Sequence, residues 1–290
     1  MNHVVKIGKQ EIGYAQPIYI VAEIGLNHNA DISIAKKLII AAKDAGCNAV
    51  KFQKRTPEKC VPPEQRDIMR DTPWGLMTYM EYRNRLEFSK KEYQEIDLAC
   101  REQGIIWFAS VWDEESIDFL EAFNTPCYKI PSAALTDHNL LSYARSTGRP
   151  IILSSGMSTM EQIRAAIRVL GEKKLLLTHC TSTYPCNPEE LNLRMIHTLQ
   201  GEFNVPVGYS GHEVGLQTTY AAATLGACFI ERHLTLDRAM WGSDHSASVE
   251  PWGFRRLVRD IRVIEQAIGD GVKRVYESEK PIQKKLRRIP

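Results

Sequence analysis

Three short polar clusters near the C-terminus carry side chains able to do chemistry: Gly208-Tyr209-Ser210-Gly211-His212, Ile230-Glu231-Arg232-His233 and Gly242-Ser243-Asp244-His245-Ser246. The first two close short apolar runs, and the third lies in the loop that follows. Upstream, further apolar runs end in Glu23, in Lys51 and Gln53, in Ser110, in Lys129 and Ser132, in Ser154 and Ser155, and in His179, with Ser182 and Tyr184 just beyond. Lysines among hydroxyls make an anion cradle: the ammonium groups supply charge, and the hydroxyls and backbone N–H groups supply directed donors. A phosphate is the natural guest. His212 and His233 have the donor atoms for a divalent metal, with positions left open for substrate and water. Asn27-His28-Asn29 either orients a ligand or only shapes its turn.

The elements that must position these residues follow one pattern, strand then helix, eight times. Short apolar segments at 19–24, 49–53, 105–110, 127–130, 151–154, 175–179, 205–209 and 227–233 read as parallel strands covered on both faces. Helical patterns lie between and after them, at 33–45, 90–103, 113–122, 137–146, 159–170, 188–199, 215–225 and 251–268. Gly46, Gly104, Gly148, Gly171 and Gly226 stand where helices should stop. Eight such units predict a closed (β/α)8 TIM barrel, whose chemistry sits at the C-terminal strand ends. An open doubly wound sheet would want Gly-x-Gly-x-x-Gly after the first strand, and Gly25-Leu26-Asn27-His28-Asn29 stands there instead. On a strand, residues two apart share a face, so Lys51 pairs with Gln53 and Glu231 with His233.

The expected organisation is one barrel over residues 1–290. A short N-terminal β-hairpin (4–7 and 11–14) in residues 1–16 caps the lower mouth, and 277–290 form a tail. The segment 54–73, with four prolines, reads as a long irregular loop and a candidate cover for the site. A net charge of +2 gives no field for nucleic acid, and no apolar run is long enough for a membrane. No signal-peptide pattern opens the chain, and seven cysteines, an odd number without Cys-x-x-Cys, read as reduced thiols. The expected setting is cytoplasmic.

Taken together, the strand-end motifs resemble the sialic acid synthase family, which condenses phosphoenolpyruvate with an N-acylmannosamine or related amino sugar. The matching stretches run in the family's order: Ala22-Glu23-Ile24-Gly25-Leu26-Asn27-His28-Asn29, Val50-Lys51-Phe52-Gln53, Tyr128-Lys129-Ile130-Pro131-Ser132, Ile152-Leu153-Ser154-Ser155-Gly156-Met157, His179-Cys180-Thr181-Ser182-Thr183-Tyr184-Pro185, Gly208-Tyr209-Ser210-Gly211-His212, Glu231-Arg232-His233 and Asp244-His245-Ser246-Ala247-Ser248. The resemblance implies a (β/α)8 barrel and a homo-oligomer, a dimer or tetramer. It makes His212 and His233 ligands of Mn2+ or Mg2+, and Lys51, Lys129, Ser132, Ser154 and Ser210 holders of phosphoenolpyruvate. Ser110 and Ser182 join the substrate site, Gln53, Tyr184 and Asp244 contact the sugar, and Glu23 handles a proton. Three departures bear on the sugar side. Ala134 stands where the family has an acidic residue, Ser110-Val111-Trp112-Asp113 replaces a Ser-Thr-Pro-Phe-like turn, and Pro290 falls where a linker to an antifreeze-like domain would begin. Two rivals share these residues: another metal-dependent barrel, an aldolase or phosphodiesterase, and a retired barrel that binds a sugar.

Overall fold

Strands apolar on both faces must be covered on both, and in the computed structural model they close on themselves. The structure describes residues 3–289; Met1, Asn2 and Pro290, assigned above to the cap and the tail, lie outside them. The chain begins with an antiparallel hairpin, β1 (Val5–Ile7) and β2 (Gln10–Ile12), followed by β3 (Tyr19–Gly25), α1 (Ile32–Ala45) and β4 (Ala49–Lys54). An excursion then carries α2 (Pro57–Cys60), a second hairpin of β5 (Met69–Thr72) and β6 (Gly75–Thr78), and α3 (Tyr79–Leu86). Alternation resumes with α4 (Lys90–Gln103), β7 (Ile106–Val111), α5 (Glu114–Glu121), β8 (Tyr128–Ile130), α6 (His138–Ser146), β9 (Ile151–Ser154), α7 (Met160–Leu170) and β10 (Leu175–Cys180). It ends with α8 (Met195–Glu202), β11 (Val207–Gly211), α9 (Gln217–Thr224), β12 (Phe229–His233), α10 (Pro251–Ala267) and α11 (Lys280–Leu286). β3, β4, β7, β8, β9, β10, β11 and β12 pair in that order, all parallel, and β12 pairs back to β3.

The interior changes polarity along its axis. At the lower end Tyr19, Val21, Ala49, Phe108, Cys127, Ile152 and Phe229 pack with Val5, Ile7 and Ile12 of the N-terminal hairpin. The hairpin is thus the expected plug, and it buries the apolar ends of the strands against its own side chains. Two residues further along, the inward positions become Glu23, Lys51, Ser110, Lys129, Ser154 and Glu231, all buried. Two-residue alternation makes this switch inevitable once register is set.

Three expected segments differ. The stretch 54–73 is not irregular: it holds α2 and β5, and the excursion continues into β6 and α3. That hairpin is mostly exposed, so it has no buried face to leave a periodic trace. The helix expected at 188–199 begins only at Met195, because Asn192 adopts φ 40°, a left-handed conformation that interrupts a helix. The expected tail contains α11, whose residues are almost all exposed.

One buried cluster fixes the two histidine-bearing strand ends. Arg232 on β12 is fully buried and pairs with Glu213 at 3.0 Å, donating also to Gly215 O (2.9 Å) and Thr219 Oγ1 (2.6 Å). The Glu213 carboxylate further accepts from Tyr209 (2.8 Å), Thr218 (2.9 Å) and Thr219 (2.9 Å). Burial opposes its charge, yet Arg232 and these donors hold its pKa below the usual carboxylate range. Its neighbours in sequence are His212, and across the pair His233. Removing one partner strands a buried charge, so Glu213→Ala should cost about 3–5 kcal/mol in urea unfolding at neutral pH. A depressed pKa contributes stability above the unfolded value and loses it as pH falls through the folded one. The gap between wild type and variant should therefore narrow in acid, below about pH 4.

Candidate active site

At the C-terminal mouth the strand-end side chains converge on a cavity of about 230 Å3. Glu23, Lys51, Gln53, Ser110, Lys129, Ser132, Ser154, Ser182, Tyr184, Ser210, His212 and His233 all line it. Asp244 does not: it stands behind, with Oδ2 3.8 Å from His233 Nδ1. Glu231, Cys180, Trp112 and Met157 line the cavity as well, though nothing above assigned them a role. Alternation finds two of these, since Glu231 is two residues before His233 and Cys180 two after the buried Thr178. Trp112 and Met157 lie on turns, where no periodicity applies.

The floor is a chain of buried charges. Lys129 Nζ lies 2.6 Å from Glu231 Oε1 and donates to Ser210 Oγ at 3.1 Å. Lys51 Nζ lies 3.5 Å from Glu231 Oε1 and 3.0 Å from Glu23 Oε1, and donates to Ser110 Oγ at 2.6 Å. Gln53 Nε2 donates to Glu23 Oε1 at 3.0 Å. Burial pushes Glu23 up, outweighing Lys51, to a pKa of about 7. Burial acts likewise on Glu231, but two flanking lysines, Lys129 foremost, hold it down at about 2. Below neutrality, then, two lysines face one carboxylate, and the floor is net cationic. The outer oxygens Glu23 Oε2 and Glu231 Oε2 are buried without a partner, as is His233 Nδ1. Buried polar atoms left unpaired cost about 1–3 kcal/mol each, so such atoms grouped in one cavity mark a site built for a guest.

Hydroxyls line one side. Ser132 donates to Ser154 Oγ at 3.0 Å, and a Cβ at Gly156 would collide with the hydroxyls of Ser132 and Ser182. Only glycine lets that backbone approach so closely. On the other side His212 and His233 have ring centroids 5.3 Å apart, with Tyr184 packed on His212 at 4.0 Å. His212 Nδ1 donates to Thr181 O at 2.8 Å, which leaves the Nε2 lone pair free. Burial, then His212 and Lys51, keep His233 neutral by lowering its pKa well below the usual imidazole value. His212 is shifted the other way, since Cys180 raises its pKa against the effect of burial, yet two imidazoles with free nitrogens suit a divalent ion. Among the described residues no three His, Cys, Asp or Glu side chains gather as a full ligand set, so such an ion would keep open positions.

The residues whose roles were open resolve as scaffolding. His28 Nδ1 accepts from Ala30 N at 3.1 Å, and its ring stacks on Phe88 at 4.1 Å. It shapes the turn after β3. Asn27 Nδ2 donates to Leu234 O and Ser248 Oγ, both at 2.8 Å. Ala134 is buried in a short turn, and its neighbour Ala133 faces the cavity. The departure Ser110-Val111-Trp112-Asp113 anchors the excursion: Asp113 accepts from Thr56 N (2.6 Å) and Thr56 Oγ1 (2.9 Å) and caps α5. Arg55 Cζ sits over the Trp112 ring, 4.0 Å from its centre, and the guanidinium donates to Gln53 Oε1.

Comparison with known proteins gives consistent results. A model of the NeuB family matches residues 38–273. The N-acetylneuraminate-9-phosphate synthase of Homo sapiens is 40% identical over 281 residues, which span 95% of this chain and 78% of that protein. The N,N'-diacetyllegionaminic acid synthase of Legionella pneumophila is 35% identical over 285 residues, 95% of this chain and 80% of that one. Among solved structures, the N-acetylneuraminic acid (sialic acid) synthetase of Leptospira borgpetersenii, in complex with citrate, superposes with a TM-score of 0.86 at 31% identity. The match covers 100% of this chain and 99% of that one.

The Glu23 proton sets the charge of the floor, and the sign follows directly. Below about pH 7 Glu23 is neutral and the two lysines outnumber the one carboxylate; above it the charges balance. Sulfate, whose own charge is constant, should bind more weakly as pH rises through about 6 to 8. Glu23→Gln should flatten that profile. Calorimetry or competition against a fluorescent anion reads the affinity, and a profile identical in variant and wild type would remove Glu23 as its source.

Proposed function

The chain belongs to the NeuB family of nonulosonic-acid synthases, and on that premise we propose that it condenses phosphoenolpyruvate with an N-acylmannosamine or a related amino sugar. The products are a nonulosonic acid and phosphate. The observation that carries this reading is the floor of Lys129, Glu231, Lys51 and Glu23 beneath two histidines. A site of that kind accepts a multiply charged anion below and an electrophile above.

Lys51, Lys129, Ser132, Ser154 and Ser210 hold the phosphate and carboxylate of phosphoenolpyruvate, with Ser110 and Ser182 completing the hydroxyl wall. Gln53 and Tyr184 contact the acceptor, and Asp244 approaches it past His233. His212 and His233 would hold Mn2+ or Mg2+, which would supply Lewis acidity and a template for the acceptor aldehyde. The enol carbon then adds to the aldehyde carbon, water adds at the adjacent cationic centre, and the C–O bond to phosphate breaks. Glu23 moves a proton at Oε2, the oxygen left unpaired in the cavity. Its pKa of about 7 makes either protonation state accessible near neutrality.

The direct test is incubation with phosphoenolpyruvate and a panel of N-acyl hexosamines, with phosphate and keto acid assayed together. Equal release of both, dependent on the acceptor, is the expected result. Phosphate release without keto acid coupling would point to a different barrel enzyme. Chelation should abolish turnover and Mn2+ should restore it. Metal affinity should fall as pH drops through the His212 pKa, which burial opposes but Cys180 raises above the usual imidazole value, because that ligand must be neutral to bind. Full turnover by His233→Ala in excess chelator would remove the metal from the account.

A further inference from the structure

The side-chain amide of Gln53 lies between a buried cation and a buried carboxylate. Gln53 Oε1 accepts from the Arg55 guanidinium, and Gln53 Nε2 donates to Glu23 Oε1 at 3.0 Å. Arg55 is 5% exposed and Glu23 1%, so water offers neither contact a substitute. A guanidinium only donates, whereas an amide has one donating end and one accepting end. Turning the amide over would set N–H against N–H at Arg55 and lone pair against lone pair at the Glu23 carboxylate, with both groups out of water. Arg55 therefore decides which end of Gln53 faces which neighbour.

Arg55 is itself held from outside the barrel. Its Nε lies 3.4 Å from Glu87 Oε1, and its backbone N–H donates to Glu87 Oε2 at 3.3 Å. Glu87, the residue that follows α3, also pairs with Lys54 at 3.1 Å. The guanidinium sits over Trp112, which lines the cavity, and the Gln53 carbonyl accepts from the Tyr93 hydroxyl at 2.9 Å. Both ends of the contact are thus fixed by neighbours. Gln53 lines the catalytic cavity, whereas Arg55 stands behind it. Glu23 takes one N–H of Gln53 Nε2, and the second has no partner among the described residues.

We propose that Arg55 is a positioning residue for the acceptor: by holding Gln53 Oε1 it makes Gln53 meet the acceptor through an N–H, so that this point of the site selects an oxygen, hydroxyl or carbonyl, and not a donor. The proposal rests on the synthase reading above, in which Gln53 contacts the acceptor. A hydrogen bond from a guanidinium is charge-assisted and stronger than one between neutral groups. The amide is therefore oriented before the acceptor arrives, and binding does not have to order it. Phosphoenolpyruvate, held by the lysines and hydroxyls, does not draw on this contact.

The test is a double-mutant cycle of wild type, Arg55→Met, Gln53→Met and the double variant, run with the best acceptor of the N-acyl hexosamine panel. The KM for that sugar, the KM for phosphoenolpyruvate and the melting temperature are measured for each. Arg55→Met should raise the sugar KM about threefold to tenfold, the effect of one hydrogen bond, with the phosphoenolpyruvate KM unmoved. In the Gln53→Met background the same change should add less than about twofold, because its route to the acceptor is gone. Equal increments in both backgrounds would overturn the proposal, as would wild-type sugar KM in Arg55→Met. Glu87 keeps Lys54 in these variants, and Arg55→Gln carries the cycle if Arg55→Met does not fold. Calorimetric titration of the same sugars into metal-free protein runs in parallel. Sugar binding that depends on Arg55 only while Gln53 is present, without turnover of phosphoenolpyruvate, would uphold the positioning and sink the synthase reading. Turnover with additive increments would do the reverse, and neither binding nor turnover would sink both.

Discussion

The chain of buried charges from Lys129 through Glu231 and Lys51 to Glu23 is the constraint on which the rest of the structure depends. Taking ions out of water costs several kcal/mol apiece, and mutual attraction offsets this only when geometry and hydrogen bonds are good. A barrel interior is ordinarily filled by aliphatic layers. Here the lower layer is aliphatic and aromatic, plugged by the N-terminal hairpin, and only the upper layer carries charge. The polar layer exists because four strands bring their charges into register, with Glu23 beside Lys51 and Ser210 beside Glu231. A one-residue slip would turn every one of these groups outward.

Two devices outside the barrel interior make that layer usable. The Arg232–Glu213 pair ties the ends of β11 and β12 together, and so sets the separation of His212 and His233. The excursion between β4 and α4 supplies Arg55 beside Gln53 and closes against the β12 loop through Trp74 and Trp241. Both rely on ionic or aromatic side-chain contacts and not on loop chemistry alone. The site is therefore held by rigid neighbours before any ligand arrives, which is what precise positioning requires.

Much of this was legible in the sequence, for physical reasons. Parallel strands buried on both faces leave unbroken apolar runs, and glycine stops such as Gly46 and Gly104 adopt the left-handed conformation that ends α1 and α4. Alternation put Lys51 with Gln53 and Glu231 with His233, and the structure places all four on the cavity. What escaped lacked periodicity. The hairpin of β5 and β6 is too exposed to show a pattern, and Asn192 broke a helix that its flanking residues favoured. Asp244, which the resemblance assigns to the sugar, lies outside the residues that line the cavity, with Oδ2 3.8 Å from His233 Nδ1. Arg70 lies in the stretch that reads as a loop and Arg83 in one given no element, with nothing in their spacing to show that they meet over Tyr79.

The central claim is that the charged floor binds an anion and is not merely a satisfied structural network. Replacing Lys129 alone would leave buried Glu231 only the more distant Lys51, 3.5 Å away, so the informative variant is the paired change Lys129→Met with Glu231→Gln, which removes one charge of each sign. Phosphoenolpyruvate is titrated calorimetrically into metal-free wild type and into this variant, with the melting temperature of each recorded. The account predicts a folded variant whose affinity for phosphoenolpyruvate is about tenfold weaker or more. Wild-type affinity in a folded variant would contradict it.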